Sequence, residues 1–368
     1  MLTMVTQMDQ LRKFFYAKHL DFLTSVPQRR IQEIILSCSL RGNSGKMSEY
    51  AQLSAGSRTT YGHFLSKGKW DDARLEETQK REIFLAVAEE AKEKSSVIYI
   101  SVDDTVIPKT KPSSRARRPT EGAGWHYSHL EGKVVYGHQI HAVHASSGDL
   151  SLVYSPKRCC QEHGTKIDMT KAAIQSLPKT ERPVYVLMDS WYTNPGILEI
   201  CRKKEYHLID AMKTNRILNP NGVKMSAATY AKTLEISHFH SVTVKGHDYL
   251  VHRYEGCLNK IQQAVVLLSY PKSAFGKKQA LRVFLCSDTT LSDAEILDHY
   301  THRWSIEVMF RQHKRFMGLK GYMIRSARAI DRLMLILALA HFFFSCGLGT
   351  IMSFSNGLRA CRPPLGIL

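Results

Sequence analysis

With 368 residues, 43% hydrophobic and 23% charged, the chain can bury a large core in two or three domains, and its balance excludes a disordered polymer. Lys and Arg outnumber Asp and Glu by 51 to 33, a net charge of +18, which points to a polyanionic partner such as nucleic acid or an anionic membrane. The eight Cys form no CxxC pair, which argues against a zinc ribbon, and Asp9, Arg12 and Lys13 precede any apolar run. A secretory signal is therefore not expected, and a reducing, cytoplasmic setting is.

Residues 1–94 read as helical. Leu11, Phe14, Phe15, Phe22 and Leu23 recur at near-helical spacing, as do Ile31, Ile34 and Ile35, with Pro27 as punctuation. Residues 48–69 read as two short helices about an Ala55-Gly56 turn, with Ser57 capping a second helix that carries Arg58, Thr59, Thr60 and Tyr61. Such a pair can be a DNA-reading helix-turn-helix, although all-α domains use it generally.

At residue 95 the pattern changes. Residues 97–102, VIYISV, form a short β-branched run that ends in Asp103-Asp104-Thr105. Residues 109–118 hold five basic residues and no acidic one, which reads as a basic loop. A hairpin follows over 133–145 and 150–154. Histidines spaced by three along it point to opposite faces, which disfavours a zinc site. A helix at 166–177, a strand at 183–188 ending in Asp189, a helix capped by Asn194 with Pro195 at its first position, and a strand at 206–212 come next. From 216 to 290 the period is two, with strands at 240–244, 249–254, 263–270 and 281–286, an all-β insertion.

Residues 300–314, YTHRWSIEVMFRQHK, read as one helix. At about 100° per residue Tyr300, Arg303, Glu307 and Lys314 share an arc of roughly 60°, beside an apolar stripe of Ile306, Phe310 and Met317. Residues 333–352 are long and apolar enough for a bilayer, but His341 lies mid-segment and Gly347 and Gly349 weaken it, so a buried core helix is expected and no membrane partner. The basic Arg325, Arg328 and Arg332 just before it would suit DNA or lipid headgroups.

Two strands thus end in Asp and a helix presents Glu307. Hard oxygen ligands from separate elements suit Mg²⁺, which takes its remaining ligands from water and phosphate. A pair of such ions can activate an attacking hydroxyl and stabilise the leaving oxygen.

The spacing Tyr300-x2-Arg303-x3-Glu307-x6-Lys314 resembles the Y-R-E-K signature of the insertion-sequence-four group of DDE transposases. Asp103-Asp104-Thr105 resembles that family's first-aspartate segment, and Asp189-Ser190-Trp191-Tyr192 its second. The resemblance implies an α/β fold with a ribonuclease-H-like core: a helical DNA-binding domain over 1–94, the core over 95–215, the β-strand insertion over 216–290, and the glutamate helix with C-terminal helices over 291–368. It implies a bacterial, nucleoid-associated enzyme that cuts double-stranded DNA at terminal inverted repeats and joins the 3′-hydroxyls to target DNA, acting as a homodimer in the synaptic complex. Mg²⁺ would be the cofactor, with Mn²⁺ as a substitute. By position the metal-binding, catalytic triad would be Asp104, Asp189 and Glu307. Asp103 competes with Asp104, and Asp104 is favoured because it continues the face of Ile98, Ile100 and Val102. Tyr300, Arg303 and Lys314 would hold DNA phosphates, and Lys109 and Arg311 are added on charge and placement. The competing readings are a catalytically inactive DNA-binding relic or regulator, a general nuclease, and a membrane-anchored protein.

Overall fold

The computed structural model describes residues 4–40, 45–53, 56–116, 119–128, 131–258 and 261–362. In chain order the elements are α1 (Met4–Ala17), α2 (Ser25–Ser37), α3 (Met47–Tyr50), α4 (Arg58–Lys67), α5 (Asp72–Glu93), β1 (Ile98–Pro108), β2 (Gly124–Ser128), β3 (Lys133–Ser147) and β4 (Leu150–Arg158). There follow α6 (Lys166–Ser176), β5 (Val184–Met188), α7 (Pro195–Lys203), β6 (His207–Met212), β7 (Ile217–Leu218), β8 (Met225–Ser226) and α8 (Ala227–Thr233). Then come β9 (His240–Val244), β10 (His247–Leu258), β11 (Ile261–Pro271), β12 (Arg282–Cys286), α9 (Asp293–Thr301), α10 (Trp304–Phe316), α11 (Ala327–Cys346) and α12 (Phe354–Ala360). They divide into two units, one of Met1–Ser96, Asp104–Lys166 and Ser305–Leu368, the other of Val97–Asp103 and Ile167–Trp304.

In the first unit β3 lies between β2 and β1, and β4 pairs along its far end. The apolar helix α11 is its core. From Ala329 to Ser345 nearly every side chain is buried, and Phe14 of α1 sets its ring against Phe342 and Phe343 with centroids 5.2 and 5.5 Å away. A helix of this length and hydropathy could cross a membrane, but here its apolar surface is spent on β4, α4 and α12. Pro27 lies in the first turn of α2, where its missing N–H costs no helical bond. Ser57 and Thr60 form a capping box that starts α4. Arg58 and Thr59 on that helix are exposed, while Tyr61 is buried and donates to Glu33 at 2.7 Å. The α3 that precedes it is one turn long, and of the expected Ala55-Gly56 turn, Ala55 lies outside the described residues.

Arg332 departs from the expected basic stretch. It is 1% exposed, and its guanidinium donates to the carbonyls of Phe64, Leu65, Gly68 and Trp70 and to both oxygens of Asp72. A planar five-donor fork can close off so many helix-end carbonyls at once, which an ammonium cannot.

The main sheet of the second unit runs in the order β1-β5-β6-β12-β11-β10-β9, parallel across its first three strands and antiparallel beyond. Strands β9, β10, β11 and β12 of the expected insertion therefore extend this sheet, while its β7 and β8 pair as a small sheet apart. The insertion is also not all-β: Ser226 caps the two-turn helix α8, which is too short to register as a period in the sequence. One face of the sheet packs on α9 through Tyr99, Tyr185, Leu187, Ile209, Ile296 and Leu297.

The stretch 300–314, expected as a single helix, is two. Helix α9 ends at Thr301 and α10 begins at Trp304. Tyr99 pins the junction: its hydroxyl meets His299 Nδ1 at 2.7 Å, and its ring stacks on His302 with centroids 4.1 Å apart. His302 holds φ −68, ψ −16, the tighter geometry common at helix ends.

Candidate active site

Strand β1 is where the two candidate aspartates part. Successive side chains on a strand point to opposite faces, and in the second unit Tyr99 marks the α9 face, so Ser101 and Asp103 share it. On β5 the same face carries Tyr185 and Leu187, and Asp189 continues it. The strands are parallel and in register, Ile98 beside Val184 and Ser101 beside Leu187. The paired register ends there; carried two residues further, it brings Asp103, midway along β1, level with Asp189 just past the end of β5, on neighbouring strands about 4.8 Å apart.

Cations attend this pair. Arg303, at the α9–α10 junction, places Nη1 3.2 Å from Asp103 Oδ2, with both side chains largely shielded from water. The Arg303 guanidinium also lies 5.8 Å from the Tyr300 ring. Tyr300 packs on Phe284 with centroids 4.8 Å apart, and burial raises its hydroxyl pKa so that it stays protonated. Asp189 accepts the Trp191 backbone N–H at 2.9 Å, a turn that fixes the carboxylate as the strand ends.

Asp104 faces the other way. In the first unit it accepts from Lys166 Nζ at 2.6 Å and from Gln139 Nε2 at 2.5 Å, in a polar pocket that also includes His126, His141 and Cys159. Its neighbour Thr105 is turned toward α10 and accepts from Lys314 Nζ at 2.6 Å. Strand β3 agrees: Ala142 packs on Ile306, Met309 and Phe310 of α10, and His144 meets Ser305, while Gln139 and His141 are of the opposite parity. Asp104 does continue the alternation of Ile98, Ile100 and Val102, as expected, while Thr105, of the opposite parity, is the one that meets α10.

The remaining expected residues lie in the first unit. Glu307 is partly buried in the first turn of α10, and Arg311 is exposed one turn on. Burial lowers the Lys314 amine. Lys109 is turned inward: its ammonium donates to the Tyr322 carbonyl at 2.7 Å and sits 3.5 Å from that ring's centroid, and burial brings the amine down to about 8. His138 and His144 have partners on one face of β3, Tyr322 and Ser305, and His141 lies on the other.

One acid escaped the sequence reading. Asp210, inside the apolar run of β6, is 0% exposed, and neither oxygen has a hydrogen-bond partner among the described residues. Burial, and then Asp189, raise its carboxyl well above the usual range. The Thr193 hydroxyl offsets this only partly, because it donates to the Ala211 carbonyl at 3.1 Å. An Asp within HLIDAM was the available signal.

Within either unit the described residues form no group of three or more His, Cys, Asp or Glu side chains spaced to hold a metal ion. The Asp103–Asp189 pair nevertheless suits a hard divalent cation. Two carboxylates side by side concentrate negative charge, and a guanidinium already rests on one of them.

Against known families, residues 98–343 match the model described as "Transposase DDE domain". No curated protein matches the chain.

Proposed function

The chain belongs to the transposase DDE domain family, whose business is DNA transposition and recombination, and from that premise we propose that it is a Mg²⁺-dependent cut-and-paste enzyme with Mn²⁺ as a substitute. It cleaves double-stranded DNA at the terminal inverted repeats of an insertion element and joins the freed 3′-hydroxyls to target DNA. It works in the cytoplasm on the nucleoid, and as a homodimer once two ends are synapsed. The observation that carries this reading is the alignment of Asp103 with Asp189 on the sheet face that also bears Tyr300 and Arg303.

We assign the first carboxylate to Asp103 in preference to the expected Asp104, the second to Asp189 and the third to Glu307. The metal, when bound, supplies activation of the attacking water or 3′-hydroxyl and charge stabilisation of the leaving oxygen. Asp103, Asp189 and Glu307 would hold it. Arg303 exchanges its carboxylate for a DNA phosphate, which its fork can grip in two places. Lys314, steadied by Thr105, offers a second phosphate contact, and the Tyr300 hydroxyl, kept protonated, donates a hydrogen bond to a backbone oxygen without reading sequence. Asp104, neutralised by Lys166, holds the middle of β1 in place so that Asp103 keeps its direction.

Nicking of element-end DNA with Mg²⁺ tests the assignment. Asp103→Asn and Glu307→Gln should each lose activity by about a thousandfold or more, and Asp104→Asn by about tenfold. Full activity in Glu307→Gln overturns the enzymatic reading and leaves an inactive DNA-binding relic or regulator. The reverse order for the two aspartates restores Asp104. Equal cutting of DNA without inverted repeats makes the protein a general nuclease.

A further inference from the structure

We propose that the outward face of the β2–β3 hairpin is a stacking platform for the unpaired bases of single-stranded DNA. The inference deepens the DNA reading above and rests on it. Trp125 lies directly opposite Tyr136, and Tyr127 opposite Val134, so these four side chains share one face of the ladder. Trp125, Tyr127 and Val134 are 59, 53 and 57% exposed.

The opposite face is packed. Val135 is buried, and Gly137 lies so close to β1 that a Cβ there would stand 2.1 Å from the Ile107 carbonyl oxygen. The hairpin is thus anchored on one side and presents aromatic surface to solvent on the other. Contiguous exposed aromatic surface on an anchored element marks a binding face.

Charge selects the occupant. The Trp125 ring stands edge-on to Tyr136 with centroids 5.6 Å apart, and Lys111 Nζ lies 5.6 Å from the Trp125 ring. Lys111 belongs to the acid-free run 109–118, in which Lys111 and Arg115 are exposed, and Arg325 lies exposed nearby. A cavity of about 970 Å³ lined by Lys111, Ser113, Met323 and Arg325 continues from that run. Aromatic faces with a cationic track beside them are what a single strand needs: each base offers a π-face, and its backbone follows the cations. A duplex hides its base faces in its own stack and cannot use Trp125 and Tyr127 in this way.

The test titrates full-length protein with a short 2-aminopurine single strand and, separately, with a duplex, at one fixed salt concentration. The parent should quench 2-aminopurine by stacking. Trp125→Ala should weaken single-strand binding about tenfold or more while duplex binding is unchanged, and Trp125→Tyr, which keeps a ring, should recover most of it. Single-strand binding that survives Trp125→Ala with Tyr127→Ala overturns the proposal. So does an equal loss for both DNAs, or a double variant whose only change is dissociation of a dimer in sedimentation. A parent that stacks the single strand but ignores duplex element ends fails the transposase reading instead, so the two failures are distinguishable.

Discussion

Arg303 and Asp103 form an ion pair, Nη1 to Oδ2 at 3.2 Å, between the α9–α10 junction and the middle of β1. Both side chains are shielded, so the pair is stronger than an exposed one. Its consequence is competition, because a divalent cation and the guanidinium seek the same carboxylate. Arg303→Met should raise the affinity of the DNA-free protein for Mn²⁺ about tenfold, read by electron paramagnetic resonance titration. An unchanged affinity would show that Arg303 does not occupy the cation's place.

Arg332 tests how the first unit is closed. Its fork satisfies four backbone carbonyls and Asp72 from within α11. Arg332→Met should cost about 3 kcal/mol or more in urea unfolding, since it strands buried acceptors. Arg332→Lys should recover only a fraction, because an ammonium lacks the fork. A loss below about 0.5 kcal/mol would place this residue among ordinary surface positions.

The buried histidines predict acid sensitivity. His313 Nε2 meets His341 Nδ1 at 3.0 Å, and His341 Nε2 reaches the Ser151 carbonyl at 3.0 Å. Burial lowers His341 to about 4, His144 to about 3, and His313 well below its ordinary value. The unfolded chain, near 6.5, takes up protons before the folded one does, so stability is full above that value and falls as pH drops toward about 4. Melting temperatures from neutral pH downward should fall, and His341→Gln should flatten the slope by up to about one proton. An unaltered slope in the variant would exclude His341 as a contributor.

Asp210 predicts the opposite sign. Its folded carboxyl keeps a proton that the unfolded chain releases above about 4, so stability declines as pH rises above that value. Asp210→Asn should therefore stabilise the protein by about 1 kcal/mol near neutral pH, with the gain vanishing in acid. A variant equally stabilised at both ends of the range would argue against a titrating carboxyl.

Much of this protein is legible in its residue order because periods and caps are local properties. The strand before Asp189 emerges as β5 (Val184–Met188), the Asn194-Pro195 start of α7 holds, and the 240–244 and 249–254 strands flank a turn with positive φ at Lys245 and Gly246. The DDE transposase family, too, is readable in the chain, and the family match covers residues 98–343. What the order of residues could not reveal were relationships made by partners distant in sequence. Alternation says that Asp103 and Asp104 point apart, but only Tyr99 against α9 and Thr105 against Lys314 decide which faces the helices. Continuous helical spacing over 300–314 hides a break that Tyr99 enforces from β1, and a basic run conceals that Arg332 is fully buried. Local sequence determines period and charge, whereas the side on which a residue is buried depends on the long-range packing that surrounds it.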